Sequence, residues 1–121
     1  MKELTKAEEQ IMQVLWDIEK GATRDIIEKL PKPKPAYTTV ATFLKILEKK
    51  GFVRKEKIAS VYLFYPDVKK EDYSEMFLDR FAKKYFDGSM KKMVSFFIDK
   101  ENLSLQDVED IQKYYKKRNK K

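Results

Sequence analysis

A mainly α-helical fold carrying one small β-ribbon is what this 121-residue sequence predicts, and three observations predict it. Apolar residues recur at helical spacing in six separate stretches. Gly21, the run "PKPKP" at 31–35, Gly51 and Pro66 cut the first half of the chain into short pieces. Between Gly51 and Pro66, "FVRKEKIAS" and "VYLFYP" are rich in β-branched and aromatic residues and read as two short strands joined by a turn around Ile58 to Ser60.

In chain order, Thr5 followed three residues later by Glu8 is a capping box. Ala7, Ile11, Leu15 and Ile18, with Met12 and Trp16, give the first helix a broad apolar face to about residue 20, where Gly21 is expected to end it. A short second helix, "RDIIEKL", follows Thr23 as its expected N-cap and offers Ile26, Ile27 and Leu30 for packing. The prolines of "PKPKP" remove amide donors and hold their predecessors extended, which makes this segment a stiff basic connector. The third helix starts at residue 37 or 38 and stops at Gly51, with Lys49 and Lys50 in the last turn, where positive charge suits the helix dipole. Three short helices and a two-stranded antiparallel wing make an N-terminal winged helix-turn-helix over residues 1–66. Residues 67–121 change texture to three longer helical segments and form a helical module: "KEDYSEMFLDRFAKKYF", "SMKKMVSFFI" and a last segment after Ser104 as N-cap.

Charge is placed unevenly. The chain holds 27 Lys and Arg against 20 Asp and Glu, a formal charge of +7. Lys29, Lys32, Lys34, Lys45, Lys49, Lys50, Arg54, Lys55 and Lys57 face only Glu48 and Glu56 in the same window, so that window alone carries a net +7 and the rest sums to zero. A concentrated cationic patch suits a polyanion, nucleic acid ahead of an anionic membrane surface. With no cysteine and no histidine, the chain lacks a thiolate nucleophile, a disulfide framework, and the commonest general base and nitrogen metal ligand. The scattered carboxylates read as solvated partners of neighbouring lysines, so neither an enzyme nor a cofactor or metal is expected. No signal peptide and no bilayer-length apolar run is read, and a soluble, cytoplasmic protein without membrane insertion is expected.

The stretch "AYTTVATFLKILEKKGF", residues 36–52, puts threonines where helix formers would be expected. At helical spacing Val40, Phe43, Leu44 and Leu47 make a packing stripe, while Thr38, Thr42, Lys45 and Lys49 make a second stripe elsewhere on the cylinder. A helix entering a DNA major groove needs that division: one face buried in its own domain, the other short and polar near base edges and cationic further back. Thr38 and Thr39 suit a phosphate near the helix N-terminus, Thr42 a base edge and Lys45 a guanine or a phosphate, with Lys49 further along the same DNA-facing stripe. Each threonine alone is equally an N-cap or a solvated surface residue. Arg54, Lys55 and Lys57 of the ribbon are placed to clamp phosphate, though exposed strand lysines also serve as edge protection. Trp16, Tyr62 and Phe64 are assigned to core and interface.

The C-terminal helices carry bulky faces: Tyr73, Phe77, Phe81 and Tyr85, then Met93 and Phe97, then Val108 and Ile111. Some 55 residues in three helices enclose little core, so these faces need burial against a partner, and a second copy of the chain is the simplest one. Folding back on their own subunit is the alternative.

The chain resembles the penicillinase repressor and methicillin-resistance regulator family of winged-helix transcriptional repressors. "LTKAEEQIMQVLW" at 4–16, "YTTVATFLKILEKKGFV" at 37–53, "FYPDV" at 64–68 and "ENLSLQDVEDI" at 101–111 carry the likeness. It implies a homodimer whose N-terminal winged helices read a palindromic double-stranded DNA operator and whose C-terminal helices interlock, with Thr39 and Thr42 on the family's recurring threonines. It also implies a regulatory protease as a partner, since some members are cleaved at an Asn-Phe bond; here those positions are Phe96 and Phe97. The wing's usual Gly-Arg pair is Ala59 and Ser60, and Ile46 stands where relatives often carry arginine. The rival to a repressor is a nonenzymatic protein-binding adaptor built on a winged-helix scaffold.

Overall fold

The computed structural model describes residues 1–119. Its elements run α1 (Lys6–Ile18), α2 (Thr23–Lys29), α3 (Tyr37–Lys49), β1 (Val53–Ile58), β2 (Val61–Pro66), α4 (Lys70–Tyr85), α5 (Met90–Lys100) and α6 (Leu105–Asn119). This is the mainly helical fold with a small wing that the sequence predicts. Contacts gather into two compact units, one from Met1 to Phe77 and one from Leu78 onward, and α4 runs across the division.

At the start of α1 the capping box forms in both directions: Thr5 N–H donates to Glu8 Oε1 at 2.9 Å and Glu8 N–H to Thr5 Oγ1 at 3.3 Å. The helix ends before Gly21. Glu19 takes a positive φ of 72° as C-cap and donates to the Leu15 carbonyl at 2.8 Å. Gly21 is needed for a different reason, close approach: its backbone exchanges two hydrogen bonds with Phe64 of β2, at 3.0 and 2.8 Å. A Cβ there would meet Ile18 Cδ1 at 2.8 Å and Asp25 Cβ at 3.2 Å.

Thr23 is not the N-cap of α2 but its first helical residue, and it is buried. Ala22 holds the cap position, and the Asp25 carboxylate accepts from its N–H at 2.9 Å. At the other end the Lys34 ammonium donates to the carbonyls of Ile27, Glu28 and Leu30 at 3.0, 2.7 and 2.9 Å. A lysine of the connector thus caps the helix before it, giving the Glu28 and Leu30 carbonyls a donor and adding one to the Ile27 carbonyl, which also accepts from Leu30 N–H at 3.1 Å.

Gly51, at φ 84°, closes α3. Phe52 N–H reaches the Leu47 carbonyl at 2.9 Å and Gly51 N–H the Glu48 carbonyl at 3.0 Å, the paired bonds of a Schellman motif. This turn drives Phe52 and Val53 into the core and launches β1. The two strands pair antiparallel from Val53↔Pro66 to Ile58↔Val61, closed by Ala59 and Ser60 with Ala59 at φ 57°.

Ile11, Met12, Leu15, Ile26, Leu30, Val40, Leu44, Leu47, Phe52 and Val53 form the core of the first unit. Trp16 packs at its edge and donates from Nε1 to the Val68 carbonyl at 2.8 Å. Tyr73, from the second turn of α4, completes that core: its hydroxyl accepts from Leu4 N–H at 2.9 Å, and its ring meets Trp16 and Phe52 with centroids 5.9 and 5.7 Å apart.

In the second unit Ser89 caps α5, and Ser104 with Asp107 forms a reciprocal box at the start of α6. Those hydrogen bonds from Ser104 hold the Asp107 carboxyl below its ordinary range. Ala82 and Met93 are buried, and the rings of Phe81, Phe86, Phe96 and Phe97 follow one another at centroid spacings of 6.0, 5.5 and 5.6 Å. Among the described residues no helix is long and apolar enough to cross a membrane.

Candidate nucleic-acid interface

The two stripes of α3 separate as their spacing predicts. Val40, Leu44 and Leu47 are buried and Phe43 half-buried, while Thr38, Thr39, Thr42, Lys45 and Lys49 are all exposed. The threonines are not capping residues. Ala36 occupies the N-cap and has no side chain able to accept, so the amides of the first turn lack a side-chain partner. Thr42 Oγ1 donates to the Thr38 carbonyl at 2.9 Å, which uses its proton and leaves its acceptor lone pairs and methyl group for a partner.

The cations of the basic window divide into three kinds. Lys34 and Lys50 serve the fold: Lys34 caps α2, and Lys50 donates to both oxygens of Glu8 at 2.8 and 2.9 Å. Lys29, Lys32, Lys45 and Lys49 make no ion pair among the described residues. The wing cations are exposed but engaged. Arg54 lies 3.0 Å from Asp67, Lys55 lies 3.5 Å from Glu48, and the ammonium groups of Lys55 and Lys57 sit 4.9 and 5.7 Å from the centre of the Tyr62 ring.

Between α3, the start of α2 and the wing runs a groove of about 560 Å³. Lys45 and Lys55 line it from two sides, joined by Arg24, Tyr37 and Tyr62, none of which the sequence reading singled out as a binding residue. Arg24 is the second residue of α2, where the helix dipole favours carboxylates rather than a cation. Tyr62 is an exposed wing residue rather than a core one. Among the described residues no cluster of carboxylates could hold a metal ion.

Of the residues expected at a subunit interface, Tyr73 and Met93 are buried within their own units, at 5 and 4 % exposure. Phe77, Tyr85, Phe97 and Ile111 are exposed, and Phe81 and Val108 are half-buried.

A winged helix with a two-faced third helix and a basic, tyrosine-bearing wing defines a DNA-binding class of protein. The penicillinase repressor family model matches residues 4–117, and the chain belongs to that family. It is thus a winged-helix DNA-binding transcriptional repressor by family, not an enzyme. The methicillin resistance regulatory protein MecI of Staphylococcus aureus strain N315 is 26 % identical over 117 residues, covering 96 % of this chain and 95 % of its own length. The penicillinase repressor of Bacillus licheniformis is 26 % identical over 110 residues, covering 90 % of this chain and 86 % of its own. The solution structure of the DNA-binding domain of the repressor BlaI superposes with a TM-score of 0.51 at 30 % identity, covering 60 % of this chain and 94 % of that one. The Bacillus licheniformis BlaI monomer in complex with the blaP half-operator gives 0.51 at 29 %, covering 60 % and 89 %.

Proposed function

We propose that this chain is a homodimeric cytoplasmic repressor that occupies a palindromic promoter operator through two copies of α3. The observation that carries the reading is the exposed Thr38, Thr39, Thr42, Lys45 and Lys49 face of α3, flanked by a groove whose other wall is the basic wing. On this reading Thr42 reads a base edge, with a hydroxyl that accepts and a methyl suited to thymine. The uncapped amides at Thr38 and Thr39 meet a phosphate, and Arg24, Lys45, Lys49, Arg54, Lys55 and Lys57 track the backbone. The half-operator bound by the Bacillus licheniformis relative supports a site built of two halves. A dimer would then set two α3 helices about 34 Å apart or a multiple of it.

Cleavage by a regulatory protease at Phe96–Phe97 would have to open α5, because that bond lies within the helix. Hydrogen bonding of this kind makes the bond a poor substrate until the helix frays.

The test compares the chain's own promoter fragment with random duplex by fluorescence anisotropy over a salt series. Thr42→Ala should lower promoter affinity by about 1–3 kcal/mol and leave random DNA nearly unchanged. Lys45→Ala should weaken both and reduce the salt slope by roughly 0.9. Lys55→Ala should reduce it less, because its ammonium already has Glu48 at 3.5 Å. Equal affinity of the unmutated chain for both duplexes would overturn the operator reading in favour of a protein-binding adaptor.

A further inference from the structure

On the side of α3 away from the Thr and Lys face there is a second cavity, of about 280 Å³, that DNA binding leaves unexplained. Ile11 of α1 and Val40 and Phe43 of α3 line it together with Pro31, Pro33 and Pro35 of the connector. Its polar side chains are two, Gln10 and Lys32, and no carboxylate lines it. Both are exposed, and neither makes a side-chain hydrogen bond or ion pair among the described residues. A mostly apolar cleft with a few polar groups at its rim is a common build of a small-molecule site. From this juxtaposition we infer that the cavity binds a small aromatic carboxylate, its ring between the prolines and Phe43 and its anion on the Lys32 ammonium and the Gln10 amide.

Each part of that ligand answers to a feature of the cavity. The volume approaches twice the roughly 150 Å³ of an apolar cavity that takes up benzene, which leaves room for one or two fused rings and a carboxylate. Pyrrolidine rings and a phenyl ring present flat apolar faces, so a planar ring gains more dispersion contact than a branched chain of equal volume. An ammonium without a carboxylate nearby, inside a window of net charge +7, selects an anion over a neutral or cationic molecule. The cavity also bears on α3 directly. Two wall residues belong to that helix, and the connector that forms another wall leads into its N-cap, Ala36. A ligand wedged there changes how α3 rests on α1, so occupancy and DNA affinity are linked. This second step rests on the DNA-reading role of α3; the binding site does not.

The probe is 2-naphthoate, titrated into the full chain without DNA and followed by amide chemical shifts. Saturable shifts from one site per chain are expected, grouped at residues 7–11, 30–35 and 40–43. Lys32→Gln, at an exposed position, should weaken binding about tenfold, and the neutral 2-naphthalenemethanol should bind weaker than the acid by a similar factor. Ala7→Leu, which fills the cavity from α1, should abolish it. No saturable shifts, shifts grouped elsewhere, or an affinity indifferent to both variants and to the ligand's charge would overturn the site. Saturating naphthoate should then change promoter affinity at least about fivefold, the lower end of the usual range of allosteric coupling. An unchanged affinity would overturn the linkage, whereas failure of the ligand-free chain to prefer its promoter would instead overturn the operator reading.

Discussion

Glu8 and Lys50 show how much of a charged residue's role is set by where it ends up. Glu8 lies in α1 at the start of the chain and is buried, yet its carboxylate accepts from Lys50 twice and from Thr5 N–H once. Burial pushes its pKa up. The hydrogen bonds from Lys50 and Thr5 and the Lys50 charge outweigh that, and the carboxyl stays below the ordinary glutamate range. The pair therefore joins the N-terminus of α1 to the C-terminus of α3, fixing the helix that carries the Thr and Lys face. Because the folded-state pKa is depressed, this stability is fully present above the unfolded value near 4.3 and is lost as pH falls through the folded value. Glu8→Gln keeps the shape and the capping oxygen but removes the charge, and should cost about 1–2 kcal/mol at neutral pH, less than a fully buried pair because Lys50 keeps 21 % of its side chain in contact with solvent. Urea denaturation of both proteins at pH 7 and pH 3 checks this: the gap between them should narrow at the lower pH, because the unfolded chain's carboxyl takes up a proton before the paired native one does.

At the scale of the element, the wing turn is where the chain departs from local preference. Ala59 sits at φ 57°, a conformation that costs a residue bearing a Cβ about 1–2 kcal/mol. Glycine is the residue this geometry favours. Ala59→Gly should therefore stabilise the first unit by about 0.5–1 kcal/mol after the greater unfolded-state freedom of glycine is deducted, read as a higher urea midpoint at unchanged slope. The turn also explains why the ribbon was hard to read from the sequence. Only Val53 at its base is buried, and the outer residues of both strands meet solvent on both faces, so no burial period of two is imposed. The helices of the winged part were legible because each has one face on the core, and α3 most of all, since its buried and exposed stripes follow the sequence spacing residue by residue. What stayed hidden was set by long-range contacts. Lys34 reads as one more cation of a basic connector until three backbone carbonyls of α2 are found around it, and Gly21 reads as a helix stop until Phe64, 43 residues later, is found against it. Arg24 and Tyr62 entered the candidate site the same way, because only the fold brings the start of α2 and the wing to one groove.

For the whole molecule the question is what covers the apolar surface of the C-terminal half. In the second unit Tyr85, Val94, Phe96, Phe97, Leu105 and Ile111 remain between 44 and 77 % exposed. An apolar surface of this kind, on a unit that among the described residues buries only Ala82 and Met93, is what the proposed dimer would cover, and a second copy of the chain would also supply the symmetry of the proposed palindrome. Phe81 is a poor place to test this, because its ring packs against Tyr85 and Phe86 of its own unit, with centroids 4.9 and 6.0 Å away, and a charge there would disturb the fold as well as any interface. Phe97 is better placed: at 44 % exposure on α5 its ring meets the adjacent Phe96 ring of the same helix, where a charged residue is tolerated. Phe97→Asp should leave far-UV circular dichroism unchanged while placing an unpaired carboxylate in an intersubunit contact, which removes far more free energy from the dimer than from the monomer. Sedimentation should then show monomers at concentrations where the unmutated chain is dimeric. Promoter affinity should fall by about 10²-fold or more, because the second half-site is no longer held at high effective concentration, while affinity for a single half-site stays the same. A variant that remains dimeric with full promoter affinity would place Phe97 outside the interface and leave the exposed face of α5 to some other partner.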